Sequence, residues 1–181
     1  MNSSTPIDLV ILGSGMAGLA AAQLAAAKCL RAAVFDKGRR IGGRVSTRRA
    51  DGFTFNHGAQ FMTARSPEFV SLSTAAIQNH ALAEWHVANR NALCGTPTMR
   101  DFPVYMQRGH DVRQGIEITN IGREHDHIIL TDKDGQTHMA RHLIVSAPAP
   151  QSQRLRADVA PNLSALAGSA SYAPCWTGMY G

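Results

Sequence analysis

Residues 7–18 read Ile7-Asp8-Leu9-Val10-Ile11-Leu12-Gly13-Ser14-Gly15-Met16-Ala17-Gly18. The first half is an apolar run of strand length, and the second half carries glycines in the order Gly-x-Gly-x-x-Gly. Residues 19–28 are rich in Ala and Leu and have strong helix propensity, and residues 31–36 are typical of a second strand. The sequence therefore predicts a βαβ unit of about 30 residues, with the glycines between strand and helix.

Each glycine of this turn has a separate physical task in a dinucleotide site. Gly13 permits the tight turn, Gly15 lets a pyrophosphate approach the backbone, and Gly18 lets the helix pack closely on the strand. The phosphates then meet free N–H groups at the N-terminus of a helix. Asp36 follows Gly18 by eighteen residues, where an acidic side chain accepts hydrogen bonds from ribose hydroxyls and repels a 2′-phosphate. The alternative is a Gly- and Ala-rich helix start that binds no ligand.

A basic loop follows Asp36. Six of the 18 basic residues lie between positions 37 and 49. One interpretation is a solvated loop, or a patch that resembles a nuclear-localisation signal. The other is a second contact with a long dinucleotide, in which Gly42 and Gly43 allow backbone approach and Arg44 supplies a charged fork for phosphate. The position directly after Asp36 favours the second interpretation.

Composition excludes several classes of protein. The chain has 181 residues, a formal net charge of +5 and three cysteines far apart in sequence. No CxxC pair is present, so a zinc ribbon or a thioredoxin-like motif is excluded, and a cytoplasmic location fits best. The charge favours anionic ligands and is too small to indicate nucleic acid. Residues 9–27 carry no charge, but no basic residue precedes them and glycines interrupt them, so we expect neither a membrane span nor an export signal. No metal site is expected, because the histidines at 125–142 lack Asp, Glu or Cys partners at ligand spacing.

The remaining pattern predicts an α/β protein with a small antiparallel sheet. Residues 67–84 are typical of a helix with Ser66 as its N-cap. The turn at residues 132–135 separates two strand-like runs, and residues 142–146 form an apolar strand that returns to the first sheet. Residues 173–180 are predicted to form a last strand with an open edge.

Several motifs together resemble one family. Beyond the glycine turn these are Asp36-Lys37, Gly42-Gly43-Arg44 and His57-Gly58-Ala59-Gln60-Phe61, and weaker matches extend through residues 95–99, 144–150 and 172–176. The combination resembles the flavin-dependent amine oxidase superfamily, and within it the renalase-like bacterial FAD/NAD(P)-dependent oxidoreductases.

The resemblance implies a Rossmann-like FAD-binding βαβ domain of the GR2 flavoprotein type, with part of an antiparallel-sheet substrate domain. The expected domain limits are residues 1–65 with 112–150, and residues 66–111 with 151–181. ADP is expected at the glycine turn and Asp36, and the isoalloxazine ring near Gly58–Gln60. The predicted cofactor-binding residues are Gly13, Ser14, Gly15, Met16, Ala17, Gly18, Asp36, Lys37, Arg39, Gly42, Gly43, Arg44, His57, Gly58, Ala59, Gln60, Phe61, Ile118 and Pro148.

The family oxidises amines or dihydronicotinamides by hydride transfer to FAD, with oxygen as the electron acceptor. The flavin performs the redox chemistry, so no catalytic side chain is named. The chain ends where relatives continue into a further FAD motif, so it resembles an N-terminal part of such a protein. Two alternatives stay open, a dinucleotide-binding module without catalysis and an NAD-dependent dehydrogenase. Gly42-Gly43-Arg44 and Gly58-Ala59-Gln60 disfavour the dehydrogenase.

Overall fold

The computed structural model describes residues 7–87, 90–157 and 159–181. The strands are β1 Ile7–Leu12, β2 Ala32–Asp36, β3 Arg48–Ala50, β4 Phe53–Phe55, β5 Leu82–Val87, β6 Arg90–Gly95, β7 Asp111–Gln114, β8 Ile118–Glu124, β9 His127–Asp132, β10 Thr137–Val145 and β11 Arg156–Ala157. The helices are α1 Met16–Ala27, α2 Pro67–Gln78, α3 Asp101–Met106, α4 Ala149–Arg154 and α5 Pro161–Gly168.

The described residues divide into two compact units. The first holds those within Met1–Arg40 and Gly109–Pro174, and the second holds those within Ile41–Arg108 and Cys175–Gly181. The domain limits expected from the sequence stay a prediction.

The first unit is built on one sheet of seven strands in the order β11-β8-β9-β10-β1-β2-β7. Strands β10, β1, β2 and β7 run parallel, with Leu12 opposite both Val145 and Phe35. The antiparallel strands β8 and β9 join the edge of β10. The expected α/β class is confirmed. The antiparallel strands are continuous with the parallel sheet, because β10 pairs with β9 over Thr137–Ala140 and with β1 over Ala140–Val145.

Alternate residues of β1 and β2 supply two apolar clusters. Leu9, Ile11 and Val34 pack against Ala22 and Ala25 of α1. The other cluster joins Val10, Leu12, Ala33 and Phe35 to buried residues of β8, β9 and β10. Burial on both faces explains the nearly continuous apolar sequence of the two strands. The packing of both clusters also places the carboxyl ends of β1 and β2 beside the N-terminus of α1.

The second unit contains two hairpins, β3–β4 and β5–β6, with the helices α2 and α3. The Ser66 side chain accepts a hydrogen bond from the N–H of Phe69, which confirms it as the N-cap of α2. The predicted helix over residues 67–84 is too long, because α2 ends at Gln78. His80 adopts a positive φ of 56° that closes the helix, and the residues from Leu82 pair with β6 instead.

Residues 173–180 do not form the predicted strand. Among the described strands none pairs with this segment, and an extended run without a neighbour has no ladder of hydrogen bonds to stabilise it. Cys175, within this segment, is exposed. Helix α1 has twelve residues. No helix in the described ranges has both the length and the apolar character needed to cross a bilayer.

The β9–β10 turn is held by Asp132. One oxygen of its carboxylate accepts hydrogen bonds from the backbone N–H groups of Asp134 and Gln136, and the other lies 3.0 Å from Nε2 of His138. The His138 ring packs edge-on against Phe35, with the ring centroids 4.8 Å apart. The turn is therefore tied to the core of the first unit.

This arrangement predicts a pH dependence of stability. The hydrogen bond from His138 holds the pKa of Asp132 below its ordinary value, opposed by burial and supported by the N–H groups of Gln136 and Asp134. A carboxyl whose pKa is lowered by folding contributes stability at pH values above its unfolded pKa, about 3.9, and loses it as the pH falls through the folded pKa. We therefore expect Asp132→Asn to melt at a lower temperature than wild type near neutral pH, with the gap closing below about pH 4. Melting curves of both proteins across this range measure the gap, and a gap independent of pH would contradict the assignment.

Candidate dinucleotide site

The glycine turn of the first unit joins β1 to α1 and is tied to both neighbouring strands. The N–H of Gly13 donates to the carbonyl of Phe35 at 2.8 Å, which extends the β1–β2 pairing into the turn. Ser14 is fully buried, and both its N–H and its hydroxyl donate to Oδ2 of Asp36, at 2.5 and 2.7 Å. The structure therefore brings together the glycine turn and Asp36, as the sequence predicts.

The N-terminus of α1 is available to an anion. Gly15 stands at the N-cap, no side chain caps the helix, and no acidic residue lies in its first turn. The first N–H groups of a helix have no acceptor within it, and the helix dipole places partial positive charge there. This end of α1 is suited to a phosphate group.

The two glycines that border this end differ in their surroundings. A Cβ atom added to Gly15 would meet nothing within 4 Å, so the space beside it is open. A Cβ added to Gly18 would lie 1.9 Å from the carbonyl oxygen of Gly13, so Gly18 is required by the contact between helix and turn. These surroundings agree with the tasks inferred for them, close packing for Gly18 and ligand approach for Gly15.

The carboxylate of Asp36 accepts hydrogen bonds from other residues of its own chain. Its Oδ2 accepts two hydrogen bonds from Ser14, and its Oδ1 accepts one from the N–H of Gly38 at 2.6 Å. A carboxylate has about four acceptor positions, so one position on Oδ1 is left for a ribose hydroxyl. Asp36 therefore orders the turn and also retains the capacity to bind a ribose, through one hydroxyl.

The other residues predicted in the first unit lie on three further segments. Lys37 and Arg39 are exposed on the loop that follows β2. The N–H of Ile116 donates to the carbonyl of Asp36 at 3.0 Å, which brings the start of β8, with the buried residue Ile118, to this end of the sheet. Pro148 follows β10 and stands at the N-cap of α4.

In the second unit, the structure brings Arg44 beside the Gly58-Ala59 segment. The N–H of Ala59 donates to the carbonyl of Arg44 at 3.0 Å, and a Cβ at Gly58 would lie 2.1 Å from that same oxygen. The Arg44 side chain is exposed. Gly42 is buried with a φ of 118°, while Gly43 is exposed with a φ of 54°. The positive φ angles at both positions therefore favour glycine in this turn.

His57 and Gln60 lie together at a cavity of about 380 Å³ within the second unit. Thr177 donates a hydrogen bond from its hydroxyl to the carbonyl of His57 at 3.1 Å. Phe61 is exposed beside Trp85, with ring centroids 6.1 Å apart. The lining residues are Thr54, Phe55, Asn56, His57, Gln60, Trp85, Thr177, Gly178, Met179 and Tyr180. The mixture of aromatic rings with hydroxyl and amide groups suits a planar ligand with a polar edge.

Sequence reasoning missed two residues at these places. Ser146 donates its hydroxyl to the carbonyls of Leu12 and Gly13, at 2.9 and 3.2 Å. Trp85, directly after the predicted helix over residues 67–84, lies on β5 and borders the cavity. A small polar residue at the end of an apolar strand, as at Ser146, is the one signal that could have been used. No local pattern marks Trp85. In the described part of the chain, no three His, Cys, Asp or Glu side chains form a group that could hold a metal.

Comparisons with known proteins agree with this geometry. Residues 11–73 match the model of a family described as an NAD(P)-binding Rossmann-like domain. A segment of 52 residues is 44% identical to 4,4'-diapophytoene desaturase (4,4'-diaponeurosporene-forming) of Staphylococcus haemolyticus, and it covers 29% of this chain and 10% of that enzyme. The sequence match is thus confined to part of the chain.

Two solved structures show how far the fold extends. A redesigned variant of putrescine oxidase superposes with a TM-score of 0.67 at 13% identity, over 83% of this chain and 60% of that one. A proposed protoporphyrinogen oxidase from Exiguobacterium sp. 255-15 gives a TM-score of 0.71 at 16% identity, over 88% of this chain and 63% of that one. The chain therefore spans about three fifths of the length of these structures. They confirm the expected Rossmann-like fold class, which this chain shares with the two oxidase structures.

Proposed function

We propose that this chain, whose residues 11–73 match a Rossmann-like dinucleotide-binding family, binds FAD and serves a renalase-like, FAD-dependent oxidation. The observation that carries the proposal is the end of α1 in the first unit. There an uncapped helix N-terminus, an open position at Gly15 and the carboxylate of Asp36 are presented together. This combination suits a diphosphate attached to a ribose.

In this proposal the first unit holds the ADP portion of FAD. The N–H groups at the start of α1 bind the diphosphate, and Gly15 leaves the space that its oxygens need. The remaining acceptor position of Asp36 binds one ribose hydroxyl. Lys37 and Arg39 add positive charge to the exposed loop beside it, which favours an anionic ligand.

The second unit contributes groups of a different kind. Arg44 offers a charged fork to phosphate oxygens, and Gly58 and Ala59 carry the backbone segment that packs on it. His57, Gln60 and Phe61 are candidates to orient a flat ring and to exclude water from it. Gly42 and Gly43 shape the turn that presents Arg44. No residue is assigned to the chemical step.

Bound FAD would supply the two-electron redox chemistry by accepting a hydride from the substrate. We propose a dihydronicotinamide or an amine as the substrate, with oxygen as the final electron acceptor. The chain's own contribution is to bind the cofactor, to orient the small-molecule substrate and to keep water away from it. A cytoplasmic location and the absence of nucleic-acid and membrane partners are part of the same proposal, and the oligomeric state is left open.

A second candidate is a dinucleotide-binding module that performs no catalysis. The chain spans 60–63% of the solved structures that share its fold, and the most completely assembled group of predicted residues is the one expected at the ADP portion rather than at the flavin ring. Such a module binds ADP-containing ligands and turns over neither dihydronicotinamides nor amines.

The absorbance spectrum of freshly purified protein tests both candidates, with any released cofactor identified by mass. We expect a bound-flavin spectrum, loss of the oxidised-flavin bands when dihydronicotinamide isomers or amines are added without oxygen, and their return with oxygen. Flavin binding without bleaching, or binding of ADP alone, would favour the non-catalytic module. Protein that is folded by circular dichroism but binds neither FAD nor ADP would contradict both, and Gly15→Ala serves as the matched binding-deficient control.

A further inference from the structure

Ser146 follows the last residue of β10 and reaches the glycine turn across the sheet. Its N–H donates to the carbonyl of Leu12 at 2.9 Å, which continues the parallel β1–β10 pairing by one residue. Its hydroxyl lies 2.9 Å from the same carbonyl and 3.2 Å from that of Gly13. Ser146 therefore extends the pairing of β10 with β1 through its N–H and contacts the glycine turn through its hydroxyl.

The Ser146 hydroxyl lies in a notch formed by the outer glycines of the turn. A Cβ atom at Gly13 would come within 2.7 Å of this oxygen, and a Cβ at Gly18 within 2.9 Å. Both glycines thus leave room for the hydroxyl as well as for the packing of α1. The side chain that fills this space comes from a segment more than 120 residues away in sequence.

The peptide unit between Gly13 and Ser14 is held at both of its polar ends. Its carbonyl oxygen, on Gly13, accepts from the Ser146 hydroxyl, and its N–H, on Ser14, donates to Asp36 at 2.5 Å. A peptide unit is planar and rigid, so two such contacts fix its rotation. This rotation sets the direction in which the following N–H groups, at the start of α1, point.

We propose that Ser146 is a positioning residue for the phosphate-binding turn. It holds the Gly13–Ser14 peptide plane from the β10 side, while Asp36 holds it from the β2 side. A turn that is already ordered before the ligand arrives loses less freedom on binding, which raises affinity. The inference deepens the proposed function. The expected change in ligand affinity rests on nucleotide binding at this turn, whereas the expected ordering of the turn does not.

Ser152 provides a matched control. Its hydroxyl also contacts two successive carbonyls, those of Ala147 and Pro148, at 3.0 and 3.2 Å. It therefore makes the same kind of bond on α4, and its two acceptors lie outside the glycine turn. Ser152→Ala removes an equivalent hydroxyl and leaves the Gly13–Ser14 peptide untouched.

The test measures amide hydrogen exchange of residues 13–19 in the ligand-free protein and the affinity for ADP by titration. For Ser146→Ala we expect exchange about fivefold faster, confined to residues 13–19, and a Kd for ADP about fivefold higher, the scale of one lost hydrogen bond. Ser152→Ala should match wild type in both. If Ser146→Ala unfolds, Ser146→Cys fills the same space with a weak donor and should show the same local change.

Two results would overturn the inference. One is exchange at residues 13–19 that is unchanged in the variant, and the other is acceleration spread evenly over the first unit, which marks a purely structural role. Wild-type protein that fails to bind ADP would instead overturn the proposed function. The exchange measurement would still decide the role of Ser146 in that case.

Discussion

Replacing Gly18 with alanine is expected to destabilise the first unit severely, whereas the same replacement at Gly15 should spare stability and abolish most nucleotide binding. A methyl group at Gly18 would lie 1.9 Å from the carbonyl oxygen of Gly13 and 3.1 Å from its carbonyl carbon. Backbone atoms cannot move aside as a flexible side chain can. We expect a loss of about 3 kcal/mol or more in the free energy of unfolding.

Gly15→Ala is the matched control within the same motif. Its added methyl group meets nothing within 4 Å, and the backbone of Gly15 has an ordinary extended conformation with a φ of −77°. The free energy of unfolding should change by no more than about 1 kcal/mol, the usual scale at an N-cap. The methyl group would fill the space in which we propose that the diphosphate binds, so the Kd for ADP should rise about tenfold or more.

Urea denaturation of both variants, together with ADP titration of the folded ones, distinguishes the two roles. Equal stability of Gly18→Ala and Gly15→Ala would contradict the packing described for the turn. Unchanged ADP binding by Gly15→Ala would contradict the placement of the phosphate at the end of α1.

Asp36→Asn is expected to have the second largest effect, on both stability and specificity. Oδ2 accepts from the N–H and the hydroxyl of Ser14, and Oδ1 accepts from the N–H of Gly38. An amide offers one oxygen, so in either orientation its NH₂ group faces a backbone donor. A lost hydrogen bond to a charged group has a scale of about 2 kcal/mol, which we expect in the free energy of unfolding, with a Kd for ADP about tenfold higher.

Loss of the Asp36 charge should also change nucleotide discrimination. The carboxylate repels a 2′-phosphate, so wild type should prefer ADP over its 2′-phosphorylated form, and Asp36→Asn should reduce this preference. Asp8→Asn is the control for charge, because Asp8 also accepts a backbone hydrogen bond, from Arg31 at 3.0 Å, within the same unit. Equal effects of the two substitutions on the preference would show that net charge, rather than the Ser14–Asp36 contact, governs recognition.

The local fold of the first unit was predictable in detail. Strand, turn, helix and strand at residues 7–36 follow from signals that lie within a few residues of one another, namely apolar runs, glycine spacing and Ala-rich helix propensity. The site residues Gly13–Gly18 and Asp36 belong to the same short segment, so their assembly follows from the βαβ geometry.

Predictions that depended on distant partners were less successful. Residues 82–84 continue a helix-like composition, but pairing with β6 makes them part of a strand. Residues 173–180 have the composition of a strand, yet no described strand lies beside them to complete a ladder. Strand formation depends on a neighbour more than on intrinsic preference.

The glycine turn between β1 and α1 follows from the amino-acid sequence, because short-range sterics and helix propensity dictate that turn. The hydrogen-bond partners that hold the turn in place depend on how the strands pair in the folded sheet. Ser146 reaches Gly13 because β10 pairs with β1 in one particular register, and Asp36 turns part of its carboxylate toward Ser14 because β2 lies on the other side. The Ser146 contact arises from the packing of segments more than 120 residues apart in sequence, whereas Asp36 belongs to the same βαβ segment as the turn.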